Sequence, residues 1–282
     1  MAPLSEIPPP VVPVENALPR LPDTKTSGWD ANALKGNPHG RNDKAERVRE
    51  MFTAIAHAYD INNRVHSFWL DQSWRRQAVR LAEPVRGATV LDVACGTGDL
   101  AQAFVLAGAG KVIGLDYTPA MLDYARSKAI RIGGRMAEIQ YVDGDAQSLP
   151  YPDQSFDIVS IAFGIRNVAD PSRAIQEFRR VLRPGGRLVI LEFSRPRSGF
   201  VRFFHNLYTN HIMPWTATIL ARDGSGAYRY LPKSVATFLD PTQLSDQLIS
   251  VGFSKVFQQE LTMGTCVISI GQVANSSKVD IL

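Results

Sequence analysis

Cysteine is almost missing from this chain: Cys95 and Cys266 are the only two in 282 residues. That excludes a disulfide framework and fits a reducing compartment. Nor is there a run of the ~18 uninterrupted apolar residues that a membrane-spanning helix needs. The nearest approach, 200–220, is broken by Arg202, His205, Asn206, Asn210, His211 and Pro214. The basic-then-apolar layout of a secretory signal is lacking, and Glu6, Glu15 and Asp23 are out of place in a transit peptide, so a cytoplasmic protein is expected. The formal charge is only +4, and the arginines are scattered. Without a basic stripe or a reading motif, nucleic-acid binding is excluded. Weak peripheral contact with anionic lipid on the inner face of a membrane is the partner that mild basicity still admits. His205 and His211 have no acid or thiol at ligand spacing, so no metal is expected. A homodimer is left open.

What is present is an ordinary globular composition, 45% hydrophobic, ample for a buried core. Pro8, Pro9, Pro10, Pro13, Pro19 and Pro22 make residues 1–40 read as a disordered tail. Residues 41–272 read as one domain, with a flexible end at 273–282. Ala45, Val48, Phe52 and Ile55 share a helical face, so 43–58 is expected to be an amphipathic helix within a helical lid at 41–86. From residue 89, strands and helices alternate. The runs 89–93, 112–115, 139–142, 158–162 and 188–191 are apolar on both faces, as in a parallel sheet covered on both sides. Thr118-Pro119, Asp170-Pro171 and Asp240-Pro241 each set a capping residue before a proline at a helix start. The runs 253–257 and 265–270 have no helix between them and must pair antiparallel. The expected fold is therefore α/β: a doubly wound, seven-stranded, mostly parallel sheet closed by an antiparallel C-terminal hairpin. An aromatic-rich segment at 196–235, with Phe200, Phe203, Phe204, Tyr208, Ile212, Trp215 and Leu220, is inserted after the fifth strand.

The sharpest local feature is Asp92-Val93-Ala94-Cys95-Gly96-Thr97-Gly98-Asp99, running from a strand into a helix. Gly96 and Gly98 allow a tight turn and close approach of a ligand. With Ala101 they match a dinucleotide fingerprint, which alone is a weak sign. Asp92 argues the other way: carboxylates at Asp92 and Asp99 would repel a pyrophosphate and attract a sulfonium with an α-ammonium group. Asp116 ends the second strand, where it is expected to accept hydrogen bonds from ribose hydroxyls, with Tyr117 beside it. Asp145 follows the third strand and is expected to meet an adenine amino group. S-adenosylmethionine is the expected cofactor.

Three stretches then resemble a known family, the ubiquinone/menaquinone biosynthesis methyltransferases. They are Tyr59-Asp60-Ile61-Asn62-Asn63 with Ser67-Phe68 and Trp74; Phe163-Gly164-Ile165-Arg166-Asn167-Val168 continuing through Arg183-Pro184-Gly185-Gly186 to Leu191-Glu192-Phe193-Ser194; and Tyr228-Arg229-Tyr230-Leu231. The resemblance spans about residues 44–271. It implies the class I, Rossmann-like fold and C-methylation of a polyprenylated quinol, with Thr97, Asp116, Asp145 and Ala146 as cofactor residues. Three departures stand out. Asn62 replaces a usual Met, Asp71 a usual His, and Ala162 a frequent Ser, so that Ala162 meets the cofactor only through its backbone. Arg166 is the leading candidate to stabilise a quinol phenolate, and the aromatic insertion to wall in the prenyl tail. Demethylmenaquinol is the favoured acceptor and a benzoquinol the alternative. An NAD-dependent dehydrogenase and a non-enzymatic scaffold are the competing classes.

Overall fold

The computed structural model describes residues 29–275, apart from 31, 85, 210–212, 214, 215 and 217–224. Phe204, His205, Ile212, Trp215, Leu220 and most of the proline tail lie outside the described residues or have undescribed side chains, as does His211. Seven strands form one sheet in the order β3-β2-β1-β4-β5-β7-β6. They are β1 (Thr89–Val93), β2 (Lys111–Asp116), β3 (Gln140–Asp143), β4 (Phe156–Ala162), β5 (Leu182–Phe193), β6 (Lys255–Leu261) and β7 (Cys266–Gln272). The first five pair in parallel, and β7 pairs antiparallel with both β5 and β6. The hairpin thus closes with its second strand inside, which the sequence left unassigned.

Two cores follow from the strand period of two. Val90, Val189 and Leu191 point to one face, beneath α3 (Leu70–Ala82), α4 (Asp99–Leu106) and α5 (Pro119–Ile132). Leu91, Val93, Leu188 and Ile190 point to the other, under α6 (Pro171–Val181) and the helix Pro241–Ser250. The proline-led helices start where expected. Asp170 accepts from Arg173 N–H, and Asp240 forms a reciprocal capping box with Gln243. Thr118 differs: its side chain makes no cap, and its N–H is given to Asp116 instead.

A third apolar cluster carries the N-terminal helices α1 (Lys44–Ile55) and α2 (Tyr59–His66). The buried stripe of α1 is Lys44, Val48, Met51 and Ile55, rotated from the expected one because Ala45 and Phe52 face a cavity. The same cluster moves the edge of the packed chain. Trp29, placed by sequence in a tail reaching residue 40, is fully buried and stacks on Tyr230 at 4.4 Å. Its N–H donates to Ser225 O at 2.7 Å. Gly226 sits directly against it with a φ of +79°, and a Cβ there would strike the Trp29 carbonyl. The expected boundary at residue 40 therefore lies too far along the chain, because the proline-rich composition masked one anchor residue. Trp29→Ala should lower stability by about 3 kcal/mol, the cost of emptying a buried aromatic site. A urea unfolding midpoint that does not move would place Trp29 outside the fold.

Candidate active site

At the carboxyl ends of β1, β2 and β4 the chain opens into two adjoining cavities. The smaller, of about 120 Å³, is lined by Gly96, Asp116, Tyr117, Asp145, Ala146 and Ala162. These are six of the nine residues the sequence assigns to the cofactor. Asp116 is held by two backbone donors: Gly96 N–H at 2.7 Å and Thr118 N–H at 2.8 Å. Burial pushes its carboxyl above the ordinary range, against the pull of those bonds. Asp145 accepts from Gln147 N–H at 2.9 Å and from its side-chain amide at 3.1 Å, which fixes its rotamer. Arg49 and Phe52 of the lid close the cavity from above, with Arg49 over the Tyr117 ring at 5.3 Å.

The other three assigned residues support the loop without lining the cavity. In β1, Asp92 shares a face with Val90 and sits opposite Ser160 of β4, whose hydroxyl donates to it at 2.8 Å. It is 1% exposed, and burial pushes its carboxyl up to about 7. The carboxylate expected to face the sulfonium therefore lies beneath the loop, because strand alternation turns it away. Thr97 is buried and donates its hydroxyl to Asp60 of α2 at 2.5 Å. Gly98, with φ +82°, packs where a Cβ would collide with the Tyr141 hydroxyl. That loop is also tied to the lid by charge. Lys128 bridges Asp60 at 2.8 Å and Asp99 at 2.7 Å, while Arg64 reaches Asp99 at 3.1 Å. Sequence reading missed Arg49 and Lys128, which only the fold brings to the loop.

The larger cavity, of about 590 Å³, adjoins the first at Phe52, Tyr59 and Phe163, which line both. Trp74, Phe193, Tyr228 and Tyr230 make its walls largely aromatic. Arg166 is there too, but in a pair: it donates to Glu192 at 2.5 Å and to Phe163 O at 2.8 Å. Glu192 was not singled out from sequence, although it lies in the quoted motif. His66, within the expected helical lid, lines this cavity and pairs with Thr216 Oγ1 at 2.8 Å and Asn62 O at 2.9 Å. Among the described residues no group of histidines, cysteines and acids could hold a metal ion.

The residues present fit S-adenosylmethionine. At the glycine turn Gly96 spends its N–H on a carboxylate, leaving an acidic crevice that disfavours a diphosphate and suits a cationic nucleoside. Sheet order and cavity together define a class I S-adenosylmethionine-dependent methyltransferase. The solved structure of such an enzyme from Thermotoga maritima superposes with a TM-score of 0.56 at 22% identity, covering 80% of this chain and 99% of that one. A Haloferax volcanii methyltransferase solved with its Trm112 activator gives 0.55 at 17% identity, covering 78% and 98%. Residues 41–273 match the model of the ubiE/COQ5 methyltransferase family, and the chain belongs to that family. Demethylmenaquinone methyltransferase of Deinococcus radiodurans is 43% identical over 82% of this chain and 94% of its own length. The ubiquinone/menaquinone biosynthesis C-methyltransferase of Idiomarina loihiensis is 37% identical over 82% and 92%.

Buried Asp92 gives a pH signature. Its folded pKa lies above the ordinary 3.8, so its contribution to stability is fully present below pH ~4 and lost as pH rises through about 7. Asp92→Asn has no such proton to lose. Relative to the wild type, its stability should improve between pH 4 and 7 by up to about 4 kcal/mol, measured by urea titration at each pH. A difference that stays flat with pH would mean Asp92 titrates normally.

Proposed function

We propose that this enzyme methylates the unsubstituted quinone-ring carbon of a demethylmenaquinol. The observation that carries the reading is the second cavity: aromatic, nearly five times the volume of the first, and adjoining it at three shared side chains. A planar quinol suits walls of Trp74, Phe163 and Phe193, whose rings lie 4.5–6.3 Å apart. S-adenosylmethionine supplies a sulfonium methyl already activated for displacement by a carbon nucleophile. The protein's share is alignment, exclusion of water, and charge. Phe52 and Tyr59 screen the junction from solvent. Arg166 lines this cavity and spends Nη1 on both of its side-chain bonds, which leaves Nη2, without a partner among the described residues, for a phenolate oxygen beside the reacting carbon. Pairing with Glu192 fixes the guanidinium, which also lies 5.4 Å from the Phe193 ring centroid.

The naphthoquinol is preferred over a benzoquinol because relatives at 43% identity from Deinococcus radiodurans and Thermus thermophilus carry the demethylmenaquinone name. Phe68 of the cavity wall is exposed, as are Trp69, Phe200 and Phe203, which neighbour the lining residues Leu70 and Arg202 in the chain, and these side chains suit entry of a prenyl tail from a lipid surface. No helix among the described residues is long and apolar enough to cross a membrane.

Arg166→Ala in a Glu192→Gln background, which avoids stranding a buried carboxylate, should reduce kcat on a short-chain demethylmenaquinol by about 10²- to 10³-fold. Affinity for S-adenosylmethionine should stay within twofold. Equal loss of both would make Arg166 structural. Turnover of a prenylated benzoquinol but not the naphthoquinol would reverse the choice of acceptor.

A further inference from the structure

Several charges beside the two cavities pair with one another, whereas Arg49, Arg195 and Arg202 of the cavity walls join no ion pair among the described residues. Asp60, Asp99, Arg64 and Lys128 form one network, and Arg166 is matched by Glu192. Arg75 is not fully matched. It lies on α3 with its side chain 7% exposed and lines the larger cavity. Nη1 donates to Asp71 Oδ2 at 2.9 Å and to Asp71 O at 3.2 Å, but Nε and Nη2 have no partner among the described residues. Unused donors on a buried guanidinium are costly unless something takes them.

We propose that Arg75 receives the α-carboxylate of S-adenosylmethionine, gripping the amino-acid end of the cofactor while Asp116 grips the ribose. This rests on the methyl donor and not on the quinol. Three observations support it. First, Cζ of Arg75 lies 5.2 Å from the ring centroid of Phe163, the residue that follows Ala162 and lines both cavities. Second, Asp71 Oδ2 accepts from Gln72 at 2.8 Å, and the same Gln72 amide reaches Asp99 at 2.9 Å. Arg75 is thereby tied to the first residue of the helix that leaves the glycine loop. Its charge acts on Asp92 and Asp99, on either side of that loop. Third, the smaller cavity is lined by two acids and by Arg49 as its single cation. Arg49 is stacked on Tyr117 and acts on Asp143, at the nucleoside end. A zwitterionic amino-acid end needs its countercharge elsewhere, and a planar fork held by Asp71 matches a carboxylate. Asp71, the acid where the family usually has histidine, then orients Arg75.

Decarboxylated S-adenosylmethionine differs from the cofactor only by that carboxylate, so calorimetry with both compounds isolates the contact. Wild-type protein should bind the full cofactor about 10- to 100-fold more tightly. Arg75→Gln should lose that preference while binding the decarboxylated compound within twofold of wild type, and Arg75→Lys should keep most of it. The proposal is overturned if wild type binds both compounds equally, a result that needs no variant to fold. It is also overturned if Arg75→Gln keeps the preference, weakens both compounds alike, or changes only the KM of the acceptor.

Discussion

The active end of this protein depends on one carboxylate held by two amides. Asp116 arrives at the carboxyl end of β2 and takes the N–H groups of Gly96 and Thr118. The first of these bonds pins the glycine turn, and the second sets the start of the following helix. Both remove donors that would otherwise hold an anion, so a loop whose spacing matches a dinucleotide fingerprint becomes an acidic crevice. The chemistry of the cofactor follows from where those two hydrogens go.

The lid answers to the same loop. Thr97 and Asp99 reach up to Asp60, Arg64 and Lys128, and the apolar cluster of Trp29, Met51, Ile55 and Tyr230 holds the helices above it. Partly buried ion pairs of this kind contribute little net stability, but they fix one geometry. Here the geometry places Phe52 and Tyr59 where the two cavities meet. A methyl group moving between the cavities would pass these two side chains, where alignment counts most.

Much of this was legible in the sequence. Doubly apolar strands, proline-led helix starts and a helix-free C-terminal pair gave the sheet, because each signal is local. Gly96, Asp116, Tyr117, Asp145, Ala146 and Ala162, grouped from the sequence, line one cavity, since strand ends in a parallel sheet converge. Asp92 was misread because its position in the chain says nothing about which way a strand residue faces until neighbours are known. Opposite Ser160 and on the Val90 side, it supports the loop from below. Trp29 was hidden by surrounding prolines. Glu192 and Arg75 went unread for a different reason: Glu192 pairs with Arg166, 26 residues away, and only the fold brings Arg75 to the wall of the larger cavity beside Phe163.

The claim that Asp116 turns a dinucleotide-like loop into a site for a cationic nucleoside is tested most directly by titrating the purified protein with S-adenosylmethionine and with NAD in parallel. Saturable 1:1 binding of S-adenosylmethionine, with no heat from NAD, is the predicted result. Saturable NAD binding that S-adenosylmethionine displaces would contradict it.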